Sequence, residues 1–331
     1  MGQRANLVIF ENQNWQLYYD HWCANRLDIE LFWGPDIAKN FIQQRQPLDS
    51  KNSWLNSVWC EGGCIIDFDI KLLLWFGGID ILYSIPLRRA YLALQQEQWE
   101  GWIIQWANNG IIDLGAYLEV PALNFVSKYH EPDQSEHFYI NQNYPADNNL
   151  LLTVQEKGRS QAAQISGNEE GLELGIHQLE TLLSFPRSNE LKWIGDEFPV
   201  KGIHLDLDHQ TLYFWIATYP VTEIDKTISQ AWYGWNYVNL DGKFEKQINL
   251  AKTAVISLPL YKVNTHQLNI IQRIRLNLNK QASNPAQNLL DKMDENTQLN
   301  LATFESRGSF GSVEEKLERL NELEKRIPIH G

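Results

Sequence analysis

The chain has 331 residues, of which 44% are hydrophobic and 21% charged, and its formal net charge is −13. This length and composition are typical of a globular protein with one or two buried cores. The acidic balance argues against nucleic acid or an anionic membrane surface as the main partner, because binding to phosphates requires clustered Lys and Arg side chains. The apolar runs are too short to span a bilayer.

The cysteine pattern and the N-terminus bear on the cellular compartment. Three cysteines cannot all pair, and their spacing is unlike that of a disulfide framework. The first residues lead into a short apolar run that Glu11 interrupts, which differs from a signal peptide. The chain also has no Gly-rich phosphate loop, nucleophile elbow or dinucleotide fingerprint. We therefore expect a cytoplasmic protein without a bound cofactor.

Residues 1–120 are predicted to form a first α+β unit. Apolar runs at 7–10 and 15–19 flank a polar turn, which predicts a β-hairpin. A helix is predicted to follow Gly34, because the proline at position 35 is tolerated in a first helical turn. The remaining elements of the unit are a hairpin at 63–76, a helix from Pro86 and a strand at 102–106.

Residues 150–262 repeat this order of elements after a loop-rich linker at 121–149. Three prolines and many Asn and Asp residues indicate the linker. Residues 172–183 carry apolar side chains at helical spacing, which predicts one continuous helix. The other elements of this unit are hairpins at 150–165 and 202–217, a helix at 222–231 and a strand at 235–239.

Two pairs of segments resemble each other across these units. Residues 63–75 correspond to 202–215, and the Trp-x-Gly-Trp motif at 99–102 recurs at 232–235. Repetition of this kind predicts an internal duplication. The predicted fold is therefore α+β: a duplicated strand-strand-helix-strand-strand-helix-strand unit with mainly antiparallel sheets. The sequence leaves open whether the two sheets stack or join.

Residues 263–331 are predicted to form a helical extension. Apolar residues recur at helical spacing from Leu268 to Leu278, and a flexible linker is expected at 303–312. Ser312 and Glu315 have the spacing of a capping box, which predicts a helix at 313–327. This helix carries a narrow apolar stripe, so we expect it either to dock on the protein or to contact a partner or a second copy.

The features that both units share are expected to be structural. Asp67 and Asp69 recur as Asp206 and Asp208, where the aspartate side chain is expected to cap the backbone of a turn, although each pair could also hold a hard metal ion. The Trp-x-Gly-Trp motifs are expected to pack on the sheets. A carbohydrate-binding platform is the alternative, and it requires flat, exposed rings at positions such as Trp102 and Trp235.

The first unit carries a polar cluster that the second lacks. Residues 18–30 crowd ionisable groups among aromatic side chains, whereas residues 160–165 contain neither a histidine nor an acid. The first hairpin would bring Arg4 and Asn6 beside this cluster. The candidate catalytic residues are His21, Arg4, Asn6, Arg26 and Glu30, and the candidate ligand-binding residues are Tyr19, Asp20, Trp22, Asn25 and Glu61.

The residue types in this cluster suggest their roles. His21 is the candidate general base, because the pKa of imidazole lies near neutrality. Arg4 or Arg26 could bind a carboxylate or a phosphate. Asp20 neighbours His21 on a strand and would face away from it, so Glu30, Glu61 or Asp28 would be a better orienting acid. The alternative is a buried polar network that pins the end of the hairpin.

The cysteines permit a metal hypothesis. His21, Cys23, Cys60 and Cys64 supply four soft ligands, the number that a structural zinc site needs. Their spacing is not the usual two-residue spacing, and a free cysteine is commonly a small core residue. A metal site is therefore not the favoured interpretation.

The N-terminal motifs resemble those of one group of proteins. Met1-Gly2-x-Arg4-Ala5-Asn6, followed by Tyr18-Tyr19-x-His21-Trp22, is similar to the opening of a group of uncharacterised bacterial and phage proteins. The resemblance covers about the first 35 residues. It implies no activity, but it draws attention to Arg4, Asn6 and His21.

Two classes of function follow from these features. The favoured one is a binding or interaction protein with an unidentified small-molecule or protein partner and a pocket in the N-terminal unit, because no complete set of nucleophile, base and acid can be assembled. The alternative is a hydrolase or transferase in which His21 is the base and Arg4 or Arg26 the anion clamp. Carbohydrate binding through exposed tryptophans is a third possibility.

Overall fold

The computed structural model describes residues 3–49, 53–126, 138–140, 149–168, 170–220, 223–259, 263–281 and 312–328. These residues form two six-stranded mixed sheets, a two-stranded sheet and the helices that pack on them. The predicted α+β class is confirmed.

The first sheet contains both predicted N-terminal hairpins. Its strands are β1 (Ala5–Glu11), β2 (Asn14–Asp20), β3 (Gln46–Leu48), β4 (Gly62–Asp67), β5 (Leu72–Phe76) and β6 (Ile103–Trp106). They are ordered β3-β2-β1-β4-β5-β6. The hairpins β1–β2 and β4–β5 are antiparallel, whereas β1 pairs with β4, and β5 with β6, in parallel.

The second sheet is built from the later strands. Its members are β7 (Phe138–Tyr139), β8 (Asn149–Glu156), β9 (Arg159–Gly167), β11 (Lys201–Asp206), β12 (Thr211–Ile216) and β13 (Asn236–Asn239). They are ordered β13-β12-β11-β8-β9-β7. The short strands β10 (Glu190–Lys192) and β14 (Val255–Ser257) form a separate parallel pair. Strand β7 lies in the predicted linker, most of which is outside the described residues.

Five strands of each sheet share one order and one set of directions. The series β2-β1-β4-β5-β6 matches β9-β8-β11-β12-β13, with alternating antiparallel and parallel pairs. The sheets are therefore mixed: among the described strands, three of the five pairs in each sheet are antiparallel, as predicted, and the helical connections return the chain parallel to the strand beside it. Among the described strands, the two sheets do not join. The common topology agrees with the predicted order of elements, and the duplication itself stays a prediction.

The repeated aspartates hold turns in both units. Asp67 accepts a hydrogen bond from the backbone N–H of Asp69 at 2.8 Å, and Asp206 does the same for Asp208 at 3.1 Å. The second aspartate of each pair accepts from two backbone N–H groups of the neighbouring hairpin turn, at 12–13 or at 157–158. These turns have positive φ angles, so the carboxylates stabilise a backbone that non-glycine residues rarely adopt. The predicted turn role is confirmed.

Short helices connect the strands of both units. They are α1 (Leu27–Glu30), α2 (Pro35–Gln43), α3 (Ile79–Leu82), α4 (Ile85–Gln98), α5 (Ile111–Tyr117), α6 (Glu170–Glu173), α7 (Leu179–Ser184), α8 (Ile224–Ala231) and α9 (Phe244–Leu250).

The helix predicted at 172–183 is interrupted at Gly175. This glycine has a φ of +85°, and a Cβ there would lie 2.5 Å from the Ala231 carbonyl oxygen. Helix α8 therefore approaches the backbone closely at this point. The chain breaks into α6, a 3-10 turn (Gly175–Gln178) and α7.

The C-terminal extension docks on the N-terminal unit. Helix α10 (Val263–Gln281) packs on α4, and α11 (Val313–Arg326) packs on α10. The capping box of Ser312 and Glu315 is present. Leu320, Leu323 and Ile327 are buried in the first sheet's core, so the apolar stripe is covered by the chain itself. A contact of the helix at 313–327 with a partner or a second copy stays a prediction. The predicted linker 303–312 lies outside the described residues, except for Ser312.

Helix α4 also joins the two units. The Arg88 guanidinium is buried and donates to the Ala217 carbonyl oxygen at 2.6 Å, and it stacks on the Trp106 ring at 4.5 Å. Burial lowers the pKa of Arg88 to about 9. Ile85 of the same helix packs among residues that surround Trp215 of the second sheet. Side chains of α4 therefore form the contact between the two units.

Among the described residues, no helix combines the length and the apolar character that crossing a membrane requires.

Candidate functional site

The first hairpin brings the predicted polar residues to one end of the sheet, as expected. Ala5 pairs with Asp20, Asn6 pairs with Tyr19, and the Gln3 N–H donates to the His21 carbonyl oxygen at 2.8 Å. The start of β1 therefore lies beside the end of β2. The chemistry available at this end of the sheet depends on which of its side chains already form hydrogen bonds or ion pairs with one another.

His21 pairs with a phenol rather than with a carboxylate. Its Nδ1 lies 2.6 Å from the Tyr19 hydroxyl, and its ring packs edge-to-face on Trp22 with centroids 4.7 Å apart. Asp20 accepts from the Trp22 N–H at 2.7 Å and pairs with Arg45 at 3.2 Å. Asp20, the acid next to His21 in the sequence, therefore already has partners and stabilises the turn. Arg45, which sequence reasoning missed, is its partner.

The candidate anion clamps have other contacts. The Arg4 guanidinium stacks on the exposed Trp59 ring at 4.8 Å, while its backbone N–H donates to Glu61 Oε2 at 3.1 Å. Arg26 pairs with Glu30 at 3.0 Å, one helical turn away. Burial raises the pKa of Glu30, and the cations around it act in the opposite direction. Within the described ranges, neither guanidinium contacts His21.

The remaining predicted residues divide between core and surface. Asn6 is fully buried; its Oδ1 lies 3.5 Å from the donating Leu55 N–H, and its Nδ2 has no partner among the described residues. Asn25 is half-buried in the turn before α1, and 49% of Trp22 is exposed. The cluster thus resembles the alternative interpretation, a polar network that pins the hairpin, more closely than an open catalytic site.

The three cysteines are core residues. Burial raises the pKa of Cys60 and Cys64 to about 12, and it also raises the pKa of Cys23. Cys60 donates to the Gly62 carbonyl oxygen at 3.2 Å. Across the described ranges, no three His, Cys, Asp or Glu side chains meet in a group that could hold a metal. The zinc set of His21, Cys23, Cys60 and Cys64 is therefore not assembled.

The repeated tryptophans pack in the core. Trp99 and Trp232 are fully buried, and their indole N–H groups donate to the carbonyl oxygens of Leu31 at 2.8 Å and Leu172 at 2.9 Å. The half-buried rings of Trp102 and Trp235 lie edge-to-face against them, at 5.1 and 5.6 Å. This geometry differs from the flat, exposed platform that carbohydrate binding at these positions would require.

The structure contains a pocket that sequence reasoning missed. It has a volume of about 510 Å³ and lies where α4, α9 and α10 meet; we call it the junction pocket. Its apolar lining comes from Pro86, Ala90, Phe244, Ile248 and Val263, and its polar lining from Arg89, Glu245, Asn249 and His266. Helix α9 has no counterpart among the predicted elements, so the sequence offered no signal that Phe244 and Ile248 would face α4.

One ion pair lies at the edge of the junction pocket. The Arg89 guanidinium pairs with the Glu245 carboxylate and stacks on the Phe244 ring at 5.1 Å. Burial raises the pKa of Glu245, but hydrogen bonds from Arg89 and from the backbone, together with the charge of Arg89, outweigh this effect and lower it. Burial lowers the pKa of His266. Because Arg89 and Glu245 are 156 positions apart, only the tertiary structure brings them together.

Comparisons with protein-family models, curated proteins and solved structures found no match for this chain. The resemblance of its first residues to bacterial and phage proteins stays a prediction.

Proposed function

We propose that this protein binds a small amphipathic molecule in the junction pocket. The observation that carries this proposal is an apolar pocket of about 510 Å³ between helices of both units and the C-terminal extension. Sites for small ligands typically have volumes of about 300–1,000 Å³, mostly apolar walls and a few polar groups, and they occur preferentially at such interfaces.

The lining indicates which chemistry would be recognised. Phe244, Ile248 and Val263 offer an apolar surface for a ring or a short aliphatic chain. Arg89 has five N–H donors, and its bonds to Glu245 and to the Gly242 carbonyl oxygen leave some of them for a ligand. An apolar body that carries an acidic or hydrogen-bond-accepting group would therefore match both parts of the pocket.

The proposed function belongs to the class that the sequence favours, a binding protein, but the pocket lies in a different place. The sequence favoured a pocket in the N-terminal unit, whereas the junction pocket takes only Pro86, Arg89 and Ala90 from that unit. The cluster around His21 is engaged in contacts of its own, as described above. The role of His21 as a general base stays a prediction.

Binding of anilinonaphthalene sulfonate would test the proposal, because this probe combines aromatic rings with one anionic group. We expect saturable fluorescence enhancement on the folded protein. The Ile248→Trp variant, which fills the pocket from a half-buried position, should weaken binding by about tenfold or more.

A matched pair of valines supplies the control. Val263 lines the pocket and is 58% exposed, whereas Val255 is 61% exposed and lies outside it. The Val263→Trp variant should weaken binding of the probe, and Val255→Trp should leave it unchanged. Equal affinity in all variants, with thermal unfolding confirming that each is folded, would refute the proposal.

A further inference from the structure

A second pocket lies at the free edge of the first sheet, separate from the junction pocket. It has a volume of about 360 Å³ and lies between β5, β6, helix α5 and the loop that contains Asp241; we call it the edge pocket. We propose that the edge pocket binds a neutral saccharide. This site does not depend on the function proposed for the junction pocket.

Carboxamides supply much of the polar lining. Gln105 and Asn108 line the pocket, and their side chains make no hydrogen bond to another described residue. Each carboxamide can donate and accept hydrogen bonds. Sugar hydroxyls have the same dual character, so neighbouring hydroxyls on one ring could pair with both atoms of a carboxamide.

Trp106 supplies a buried donor that lacks an acceptor. The indole lines the pocket, is 7% exposed, and its Nε1–H has no hydrogen-bond partner among the described residues. A buried donor left unpaired costs free energy, and such groups often indicate a missing partner. The apolar side chains of Leu72 and Leu74 line the same pocket and would face the C–H groups of a bound sugar ring.

The charges that line the pocket are unfavourable for an anionic ligand. Asp113 and Asp241 contribute carboxylates, and no Lys or Arg is among the described residues that line it. Asp113 accepts two hydrogen bonds from Asn109, at 2.9 and 3.0 Å, which hold it in place. Tyr117 donates to the buried Asp67, and its hydroxyl oxygen can still accept. Fixed acceptors next to carboxamides are suited to a ligand that donates from several hydroxyls.

The indole N–H signal of Trp106 would report binding. In a proton–nitrogen correlation spectrum of isotope-labelled protein, the Trp106→Phe variant identifies this signal by its loss. Methyl glucoside, methyl galactoside, methyl mannoside, N-acetylglucosamine and maltose would be titrated in turn. We expect at least one of them to shift the Trp106 signal in a saturable manner.

Trp75 is the matched control for this measurement. Its Nε1–H is also buried and has no partner in the described part of the chain, and its ring centroid is 5.2 Å from that of Trp106, but Trp75 is not among the described residues that line the pocket. Its signal should therefore move much less. The Asn108→Ala variant should weaken the apparent affinity by about tenfold, whereas the exposed Asn236, changed to alanine, should leave it unaltered.

Three results would overturn the proposal. The first is the absence of a saturable shift at Trp106 with every saccharide. The second is a shift with putrescine alone, which would make the pocket a site for a cationic amine. The third is saccharide binding that Asn108→Ala leaves unchanged. If Trp106→Phe does not fold, the other signals in the spectrum still test the site. Saturable shifts of these signals would support the site if Asn108→Ala weakens the binding and Asn236→Ala leaves it unchanged.

Discussion

Asp28 connects the C-terminal extension to the N-terminal unit, and its ionisation should make the stability of the protein depend on pH. The side chain is fully buried, and its carboxylate pairs with Arg273 of α10, which also pairs with Asp80. Burial raises the pKa of Asp28 to about 6, although Arg273 acts to lower it. The Asp28→Asn variant keeps the shape of the side chain and removes its titration.

The sign of the effect follows from the direction of the shift. The ordinary value is 3.8, so between about pH 4 and pH 6 the folded protein retains a proton that the unfolded chain has released. The contribution of Asp28 to stability is therefore complete below the unfolded value and is lost as the pH rises through the folded value. About two pKa units at about 1.4 kcal/mol each amount to about 3 kcal/mol.

Urea unfolding from about pH 4 to pH 7.5 would measure this contribution. The quantity of interest is the free energy of unfolding of the wild type minus that of Asp28→Asn, because the other titrating groups cancel in this difference. We expect the difference to fall by about 3 kcal/mol as the pH rises. A difference that stays flat or rises with pH would contradict a raised pKa for Asp28 in the folded protein.

Removal of the cation provides a second check on the same argument. Arg273 lowers the pKa of Asp28, so Arg273→Gln should move the fall in stability to higher pH. It should also cost about 3–5 kcal/mol at neutral pH, since a buried carboxylate would lose its charged partner. If the fall in stability moved to lower pH instead, burial and Arg273 would not act in opposite directions on the pKa of Asp28.

Three further changes test the packing. Gln247 is fully buried and accepts from the Trp215 indole at 2.6 Å, and its two N–H hydrogens are shared among two carbonyl oxygens and the Thr153 hydroxyl, so Gln247→Leu should cost about 3 kcal/mol or more in urea unfolding. Leu323→Ala, at a buried position of α11, should cost about 2–5 kcal/mol and increase hydrogen exchange in that helix, whereas unaltered exchange would contradict the docking. Because burial raises the pKa of Cys60 and Cys64 to about 12, iodoacetamide at pH 8 should label them only after unfolding; rapid labelling of the folded protein would show that they are accessible.

The features that the sequence determined are those encoded in short segments. The alternation of apolar residues located both N-terminal hairpins, and β1, β2, β4 and β5 lie where they were predicted. Asp67 and Asp206 cap turns a few residues away, and Ser312 begins α11 through Glu315, three positions later. Hydrophobic period, turn chemistry and helix caps act over a few residues, so they can be derived from the chain before it folds.

The tertiary structure decided whatever depends on residues that are far apart in the chain. Gly175 interrupts a well-patterned helix because the Ala231 backbone approaches it. The acids and bases around His21 are drawn into separate pairs, such as Asp20 with Arg45. The junction pocket exists because Arg89 of α4 lies beside Glu245 of α9, which comes 156 positions later in the chain. No local sequence pattern encodes these contacts between distant residues. The free energy that stabilises them comes from burying surfaces that become complementary only when the whole chain has packed.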